Sequence, residues 1–196
     1  KWLFFLYLSV FILAIIRELF IPQEDPIRSW GHLCSGQIMI ALPFALMNGI
    51  LMENKFLLLA LFVILWLNDS GAYIVGSLMA KRKSGNHKMF PRVSPAKSWE
   101  GLIGGFIFDI IAGYVFYRIG WTADLTLTAY PLLNSILFAL VIGLFGTLGD
   151  LIESLFKRTL GVKDSGKFLP GHGGVLDRFD SLLLAVPVVY LLFIYL

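Results

Sequence analysis

The chain has 196 residues, of which 58% are hydrophobic and only 15% are charged. A soluble domain could not cover so much apolar surface, because soluble domains average about 45–50% apolar and about 25% charged residues. The 15% of aromatic residues also excludes a disordered chain. The composition therefore predicts an integral membrane protein. A single cysteine, Cys34, excludes an internal disulfide.

Six apolar stretches are long enough to cross a bilayer, which takes about 20 residues of helix. In chain order they cover residues 2–21, 36–52, 56–80, 102–119, 131–156 and 179–196. We therefore expect an all-α fold, a polytopic membrane helical bundle with about six transmembrane helices. Residues 1–196 are predicted to form a single transmembrane domain. Because the chain begins at Lys1 and is already apolar at Trp2, we expect it to lack N-terminal spans of a longer protein.

Lysine and arginine are concentrated in two loops. Residues 81–100 and 157–178 together hold eleven of the sixteen cations, whereas residues 120–130 hold none. Cations accumulate on the cytoplasmic side of membrane proteins, and two spans separate the loops, so both are predicted to be cytoplasmic. The net charge of +3 is explained by this topology, and nucleic acid is not expected as a partner.

The third, fourth and fifth apolar stretches contain the acids Asp69, Asp109, Asp150 and Glu153. An acid at bilayer depth costs at least about 2.5 kcal/mol on insertion scales, so each one needs a reason. Asp109 can serve as a polar contact between helices. Glu153 can pair with Lys157, which follows it by one helical turn. Asp69 is predicted either to orient the first loop or to contact a metal ion.

Asp150 carries the strongest indication of function among these acids. It follows three glycines spaced by three residues, Gly143, Gly146 and Gly149. Small residues let another helix or a substrate approach the backbone. Helix packing alone explains the glycines, but it does not explain the carboxylate that follows them.

The second loop and its flanks, residues 154–181, combine five cations with three Asp and five Gly. Asp177 and Asp180 lie three residues apart and form a predicted carboxylate cluster with Asp150. Mg²⁺ prefers carboxylate and phosphate oxygens together, so the pattern indicates phosphoryl or nucleotidyl transfer. A loop that only contacts anionic lipid would explain the cations and not the acids or glycines. For His172, a general base, a structural role and a phosphate contact stay open.

These residues form a pattern that resembles the phosphatidate cytidylyltransferases, also called CDP-diglyceride synthetases. The longest matching segment runs from Ser154 to Asp180 and contains the sequences SLFKR, KDSG, PGHGG and DRFD. Three shorter segments are similar to the same family: DSGAY at 69–73, SPAKSWEG at 94–101 and GDL at 149–151. Ala96 departs from the pattern, since the family usually has Lys there.

The resemblance implies that CTP and phosphatidic acid react to CDP-diacylglycerol and pyrophosphate, a step of phospholipid biosynthesis, with Mg²⁺ as cofactor. It assigns the metal to Asp150 and Asp177, with Asp180 supporting the same site. A second cation, monovalent or divalent, is left open. Lys167 and Arg178 are expected to act with Asp150 and Asp177 in catalysis.

The remaining predicted site residues would bind the triphosphate or the lipid phosphate, because cations, hydroxyls and open backbone N–H groups attract anions. They are Ser94, Lys97, Ser98, Lys157, Arg158, Lys163, Asp164, His172, Gly173 and Gly174. Residues 81–100 and 157–178 are thus predicted to be cytoplasmic catalytic loops.

Other functions fit parts of the pattern. A CDP-archaeol synthase or a polyprenol kinase would differ in the acceptor lipid or in the phosphorus attacked. A cation-coupled transporter would use intramembrane acids as an ion path, but its acids would be spread across the bilayer. A structural lipid-binding subunit would leave CTP unbound. We expect an enzyme of the inner, or plasma, membrane whose site faces the cytoplasm; homo-oligomerisation stays open.

Overall fold

The computed structural model describes residues 2–20, 25–81, 85–162, 165–166, 174 and 176–195. The chain divides into two compact units, Lys1–Leu42 and Pro43–Leu196. The second unit holds every predicted site residue, and each unit is described separately below.

The first unit consists of helices. Helix α1 covers Trp2–Arg17, and α2 covers Pro26–Gly36 and continues through a π-helical turn at Gln37–Ala41. Helix α2 begins where Asp25 accepts a hydrogen bond from the backbone N–H of Arg28, with proline in the first turn. The helix therefore starts about ten residues before the apolar stretch predicted from residue 36.

The second unit is a bundle of long helices. After α3, Leu42–Glu53, it contains α4, Lys55–Ala80; α5, Trp99–Arg118; α6, Pro131–Thr159; and α7, Leu182–Tyr190, which continues as a π-helical turn over Leu191–Tyr195. Helix α4 packs on α5, α5 on α6, and α6 on α7. The fully buried core between them includes Leu61, Ile64, Phe138, Ile142 and Val186.

Glycines set the close approach of α4 and α5. A Cβ added to Gly71 would lie 2.9 Å from the carbonyl oxygen of Gly104, and a Cβ on Gly104 would lie 2.8 Å from that of Gly71. In a bilayer the lipid is as apolar as the side chains, so helices associate through such close packing and through polar contacts. This crossing fixes the start of α5, where the first predicted loop ends.

The predicted loop 81–100 contains a β-hairpin. Strands β1, Lys88–Phe90, and β2, Ser94–Ser98, pair antiparallel. The turn is closed by a 3.0 Å hydrogen bond from the N–H of Val93 to the carbonyl of Phe90, with Pro91 at the position that its fixed φ favours. Ser98 then caps α5, because its Oγ accepts from the N–H of Gly101 at 3.1 Å.

The all-α membrane bundle is confirmed, with this short hairpin as its β element in the described residues. Among the described residues, four helices are long and apolar enough to cross a membrane: Pro26–Glu53, Lys55–Ala80, Trp99–Arg118 and Pro131–Thr159. The described parts of the first and last predicted spans contain shorter apolar helical stretches, Tyr7–Arg17 within α1 and Leu182–Ile194. The single catalytic domain stays a prediction.

Candidate active site

Three carboxylates meet where the end of α6 packs against the residues before α7. Asp150 and Glu153 are one turn apart on α6, and Asp180 joins them from the other segment. One oxygen from each lies within 4.8 Å of the others. Gly149 permits this approach, because a Cβ there would lie 2.6 Å from the carbonyl oxygen of Asp180. Because that oxygen belongs to the backbone, it could move away only if the segment around Asp180 shifted.

The carboxylate cluster of Asp150, Glu153 and Asp180 could bind a metal ion. Glu153 is 2% exposed, and its Oε1 has no hydrogen-bond partner among the described residues. Burial, and then the charge of Asp150, raises the pKa of Asp180 to about 6. Buried negative oxygens are costly unless they are paired or coordinate a metal. An all-oxygen set of this kind fits a hard divalent cation such as Mg²⁺.

Two lysines already neutralise part of this negative charge. Lys97 Nζ, from strand β2, lies 2.7 Å from Asp150 Oδ2 and donates to the carbonyl of Thr147 at 3.2 Å. Lys157 Nζ lies 2.5 Å from Glu153 Oε2, the pairing expected from their spacing, and 2.8 Å from Asp177 Oδ1. The two basic loops therefore converge on one carboxylate cluster.

Asp177 connects the described residues of the second loop. Its carboxylate accepts hydrogen bonds from Lys157, from the N–H and Oγ of Ser165, and from the N–H of Gly174 at 2.6 Å. Burial opposes ionisation, but these donors outweigh it and hold the pKa of Asp177 well below its usual range. The three-carboxylate cluster contains Glu153 rather than Asp177, so the predicted metal contact of Asp177 stays a prediction.

Other predicted site residues take structural positions around the cluster. Ser94 pairs with Phe90 in the hairpin, and Ser98 is buried as the cap of α5. Arg158 Nε donates to the carbonyl of Val93 at 3.4 Å, and Arg178 is exposed in a 3₁₀ turn. Five predicted residues lie outside the described part of the chain: Lys163, Asp164, Lys167, His172 and Gly173.

A buried polar chain leads from the site into the bundle, and sequence reasoning missed most of it. Asp109 is fully buried, and Asn68 Nδ2 donates to its Oδ2 at 2.7 Å. Thr147 Oγ1 donates to Asn68 Oδ1 at 3.3 Å. Gly143 leaves room on α6 for the Asp109 carboxylate, because a Cβ at that position would overlap it. Asp109 thus makes an interhelical polar contact, whereas nothing in the sequence singles out Asn68.

A model of a protein family described as the cytidylyltransferase family matches residues 1–196. The chain belongs to the cytidylyltransferase family. It is 47% identical over 133 residues to a phosphatidate cytidylyltransferase of Staphylococcus haemolyticus, a match covering 68% of this chain and 47% of the relative. It is 44% identical over 142 residues to proteins of the same name from Staphylococcus saprophyticus and Staphylococcus aureus, covering 72% of this chain and 50% of each relative. The chain thus spans about half the length of these relatives.

The chain also has a cavity beside the carboxylate cluster. Its volume is about 360 Å³, and it lies between α4, the hairpin and the start of α5. Asp69 and Lys97 contribute charged groups to its wall, and Ala72, Gly76 and Met89 contribute apolar surface. Lys97 belongs to both places, because it lines the cavity and pairs with Asp150.

Proposed function

We propose that this chain forms the catalytic part of a phosphatidate cytidylyltransferase, which transfers the cytidylyl group of CTP to phosphatidic acid. The observation that carries the proposal is the convergence of three carboxylates and two lysines in a chain of the cytidylyltransferase family. The printed names of the relatives support the choice of acceptor.

Asp150, Glu153 and Asp180 would hold the metal ion. The fit rests on the orphaned, buried Oε1 of Glu153 and on the all-oxygen donor set. A divalent ion bound there would offset negative charge on phosphate oxygens and orient them for in-line displacement. Asp177 also stays a proposed metal ligand. Its carboxylate would become available to the metal ion if Lys157, which now pairs with it, turned towards the substrate.

The two lysines would overcome the repulsion between two anionic substrates. Lys97 and Lys157 each pair with a cluster carboxylate, and their side chains are only 21% and 15% exposed. A partly buried ammonium interacts more strongly with phosphate than one in bulk water. With a metal ion held by the carboxylates, both ammonium groups would be available to the triphosphate and to the phosphate of the lipid.

The reaction itself is a displacement at phosphorus. A phosphate oxygen of phosphatidic acid attacks the α-phosphorus of CTP; the bond from that phosphorus to the bridging oxygen breaks, and pyrophosphate leaves. The attacking oxygen is already anionic, so the step requires no general base. Positioning and electrostatic stabilisation by the lysines supply the acceleration. We place the site at the cytoplasmic face of the plasma membrane, where soluble CTP meets a lipid substrate.

Pyrophosphate release tests the proposal. The full-length protein in detergent micelles with Mg²⁺ should release pyrophosphate from CTP only when phosphatidic acid is present, with one CDP-diacylglycerol formed per pyrophosphate. Release of CDP together with a phosphorylated lipid would instead identify a kinase. No turnover with phosphatidic acid under any Mg²⁺ concentration would contradict the proposal.

A further inference from the structure

Apart from Lys97, the residues that line the cavity beside the carboxylate cluster have no role in the chemistry derived above. We propose that the cavity binds the cytosine and ribose of CTP, and that Asp69 selects cytosine by accepting a hydrogen bond from its exocyclic amino group. The inference rests on the proposed function, since it assigns the recognition half of the same nucleotide.

The size and position of the cavity suit a nucleoside. Its 360 Å³ is within the range of about 300–1,000 Å³ typical of small-molecule pockets. Part of its wall comes from Asn86, Lys88 and Met89, which follow the end of α4 at Ala80. That part of the cavity lies beyond the span, where a water-soluble ligand arrives.

Lys97 connects the cavity with the carboxylate cluster. Its ammonium lies in the cavity wall and 2.7 Å from Asp150 Oδ2. A nucleotide whose base occupies the cavity can therefore direct its phosphates past Lys97 towards Asp150. One ligand would then use both places, with the base in the cavity and the reacting phosphorus at the cluster.

The chemistry of Asp69 points to cytosine. Its exposed carboxylate lines the cavity and has no hydrogen-bond partner among the described residues. A carboxylate accepts hydrogen bonds and pairs with the amino group of cytosine, whereas uracil presents an acceptor oxygen at that position. Ala72 and Met89 supply the apolar surface that the faces of a base require. Asp69 would thus favour CTP over UTP.

An acyl chain of the lipid is a poorer occupant. It would cover the charged side chains of Asp69 and Lys88 in the wall without offering them a partner. Burying charges in this way is strongly unfavourable. The lipid tails are therefore expected to stay outside the cavity, in the bilayer.

The test replaces the Asp69 carboxylate, which only accepts hydrogen bonds, by an amide, which can also donate them. In Asp69→Asn the amide can accept from cytosine or donate to the oxygen of uracil, so discrimination should relax. We expect the ratio of kcat/KM for CTP over UTP to fall by about tenfold or more, with UTP turnover rising. Glu53→Gln, the same carboxylate-to-amide change at an exposed position outside the cavity, should leave the ratio unchanged. An unchanged ratio in Asp69→Asn would overturn the assignment.

A second variant tests the cavity without altering Asp69. Ala80 lies at the exposed rim, and Ala80→Phe should raise the KM for CTP about tenfold while leaving the KM for phosphatidic acid unchanged. Leu78→Phe, on the same helix but outside the cavity, is the matched control. A higher KM for phosphatidic acid alone would assign the cavity to the lipid and refute the proposal.

Binding separates this inference from the proposed function. Equilibrium binding of CTP and of UTP, measured without phosphatidic acid, should show preference for CTP in the wild-type protein and its loss in Asp69→Asn. If CTP binds selectively but no pyrophosphate forms, the proposed reaction fails and the base site stands. If pyrophosphate forms and the two variants keep wild-type preference and KM, the base site fails alone.

Discussion

The ammonium of Lys97 lies 2.7 Å from the carboxylate of Asp150, although 53 residues of chain separate the two. Lys97 belongs to the hairpin and Asp150 to the last turns of α6. This ion pair joins the hairpin of the first basic loop to α6 and, through the cavity wall, joins the proposed base site to the proposed metal site.

Replacing Lys97 should lower the catalytic efficiency with CTP. In Lys97→Met we expect kcat/KM for CTP to fall about 100-fold, because the partly buried charge that we propose contacts the triphosphate is lost. Lys97→Arg should recover part of the loss, since it keeps the charge. Lys55→Met removes an exposed cation at the start of α4 and should have no effect. The measurement is steady-state kinetics at varied CTP concentration. Equal kcat/KM values for Lys97→Met and Lys55→Met would refute the proposed contact of Lys97 with CTP.

Glu153→Gln tests the composition of the carboxylate cluster. Removing one negative charge should raise the Mg²⁺ concentration for half-maximal activity about tenfold, because the site loses a ligand oxygen of full charge. The measurement is a Mg²⁺ titration of pyrophosphate release, with Glu53→Gln as control. If Glu153→Gln shows the wild-type Mg²⁺ dependence, the metal is held without Glu153.

Sequence reasoning singled out the acids and cations that the fold brings together, but it did not predict which of them meet. The acids and cations were identified because charge is rare in an apolar chain, and the two loops do converge. The link between Lys97 and Asp150 was not predicted, since it depends on the hairpin and on the close crossing of α4 and α5. Glu153 was expected to pair with Lys157; its place beside Asp180 depends on the fold around Gly149.

Gly149→Ala should displace Asp180 from the carboxylate cluster. The added methyl group meets the carbonyl of Asp180 and cannot be accommodated without moving that segment. We expect kcat to fall about tenfold or more, with a lower melting temperature in detergent. Gly31→Ala in α2 meets no atom within 4 Å and should be neutral or stabilise by up to about 1 kcal/mol. Full activity of Gly149→Ala would show that Asp180 need not approach α6 this closely.

Asp177→Asn separates loop organisation from metal binding. The amide cannot accept from Ser165, Gly174 and Lys157 as strongly as the carboxylate, so amide hydrogen exchange at Ser165 and Gly174 should accelerate at least about tenfold without Mg²⁺. Asp124→Asn, far along the chain in another loop, is the control. Unchanged exchange in Asp177→Asn, together with a weaker response to Mg²⁺, would assign the carboxylate to the metal alone.

Asn68→Ala should destabilise the bundle. It removes the described hydrogen-bond donor to fully buried Asp109 and leaves that carboxylate unsatisfied. The expected cost is about 1–3 kcal/mol, read as a lower melting temperature in detergent. Ser70→Ala, the exposed neighbour two positions along α4, should melt like the wild type. An equal melting temperature for Asn68→Ala would mean that the contact contributes nothing to stability.

The most direct test compares Asp150→Asn with the wild-type full-length protein in pyrophosphate release that depends on phosphatidic acid. Asp150 offers one of the three cluster oxygens and pairs with Lys97, so its neutralisation should reduce kcat at saturating Mg²⁺ by at least about 100-fold. Glu53→Gln should retain full activity. Near-normal turnover by Asp150→Asn at saturating Mg²⁺ would contradict the assignment of this cluster as the catalytic centre.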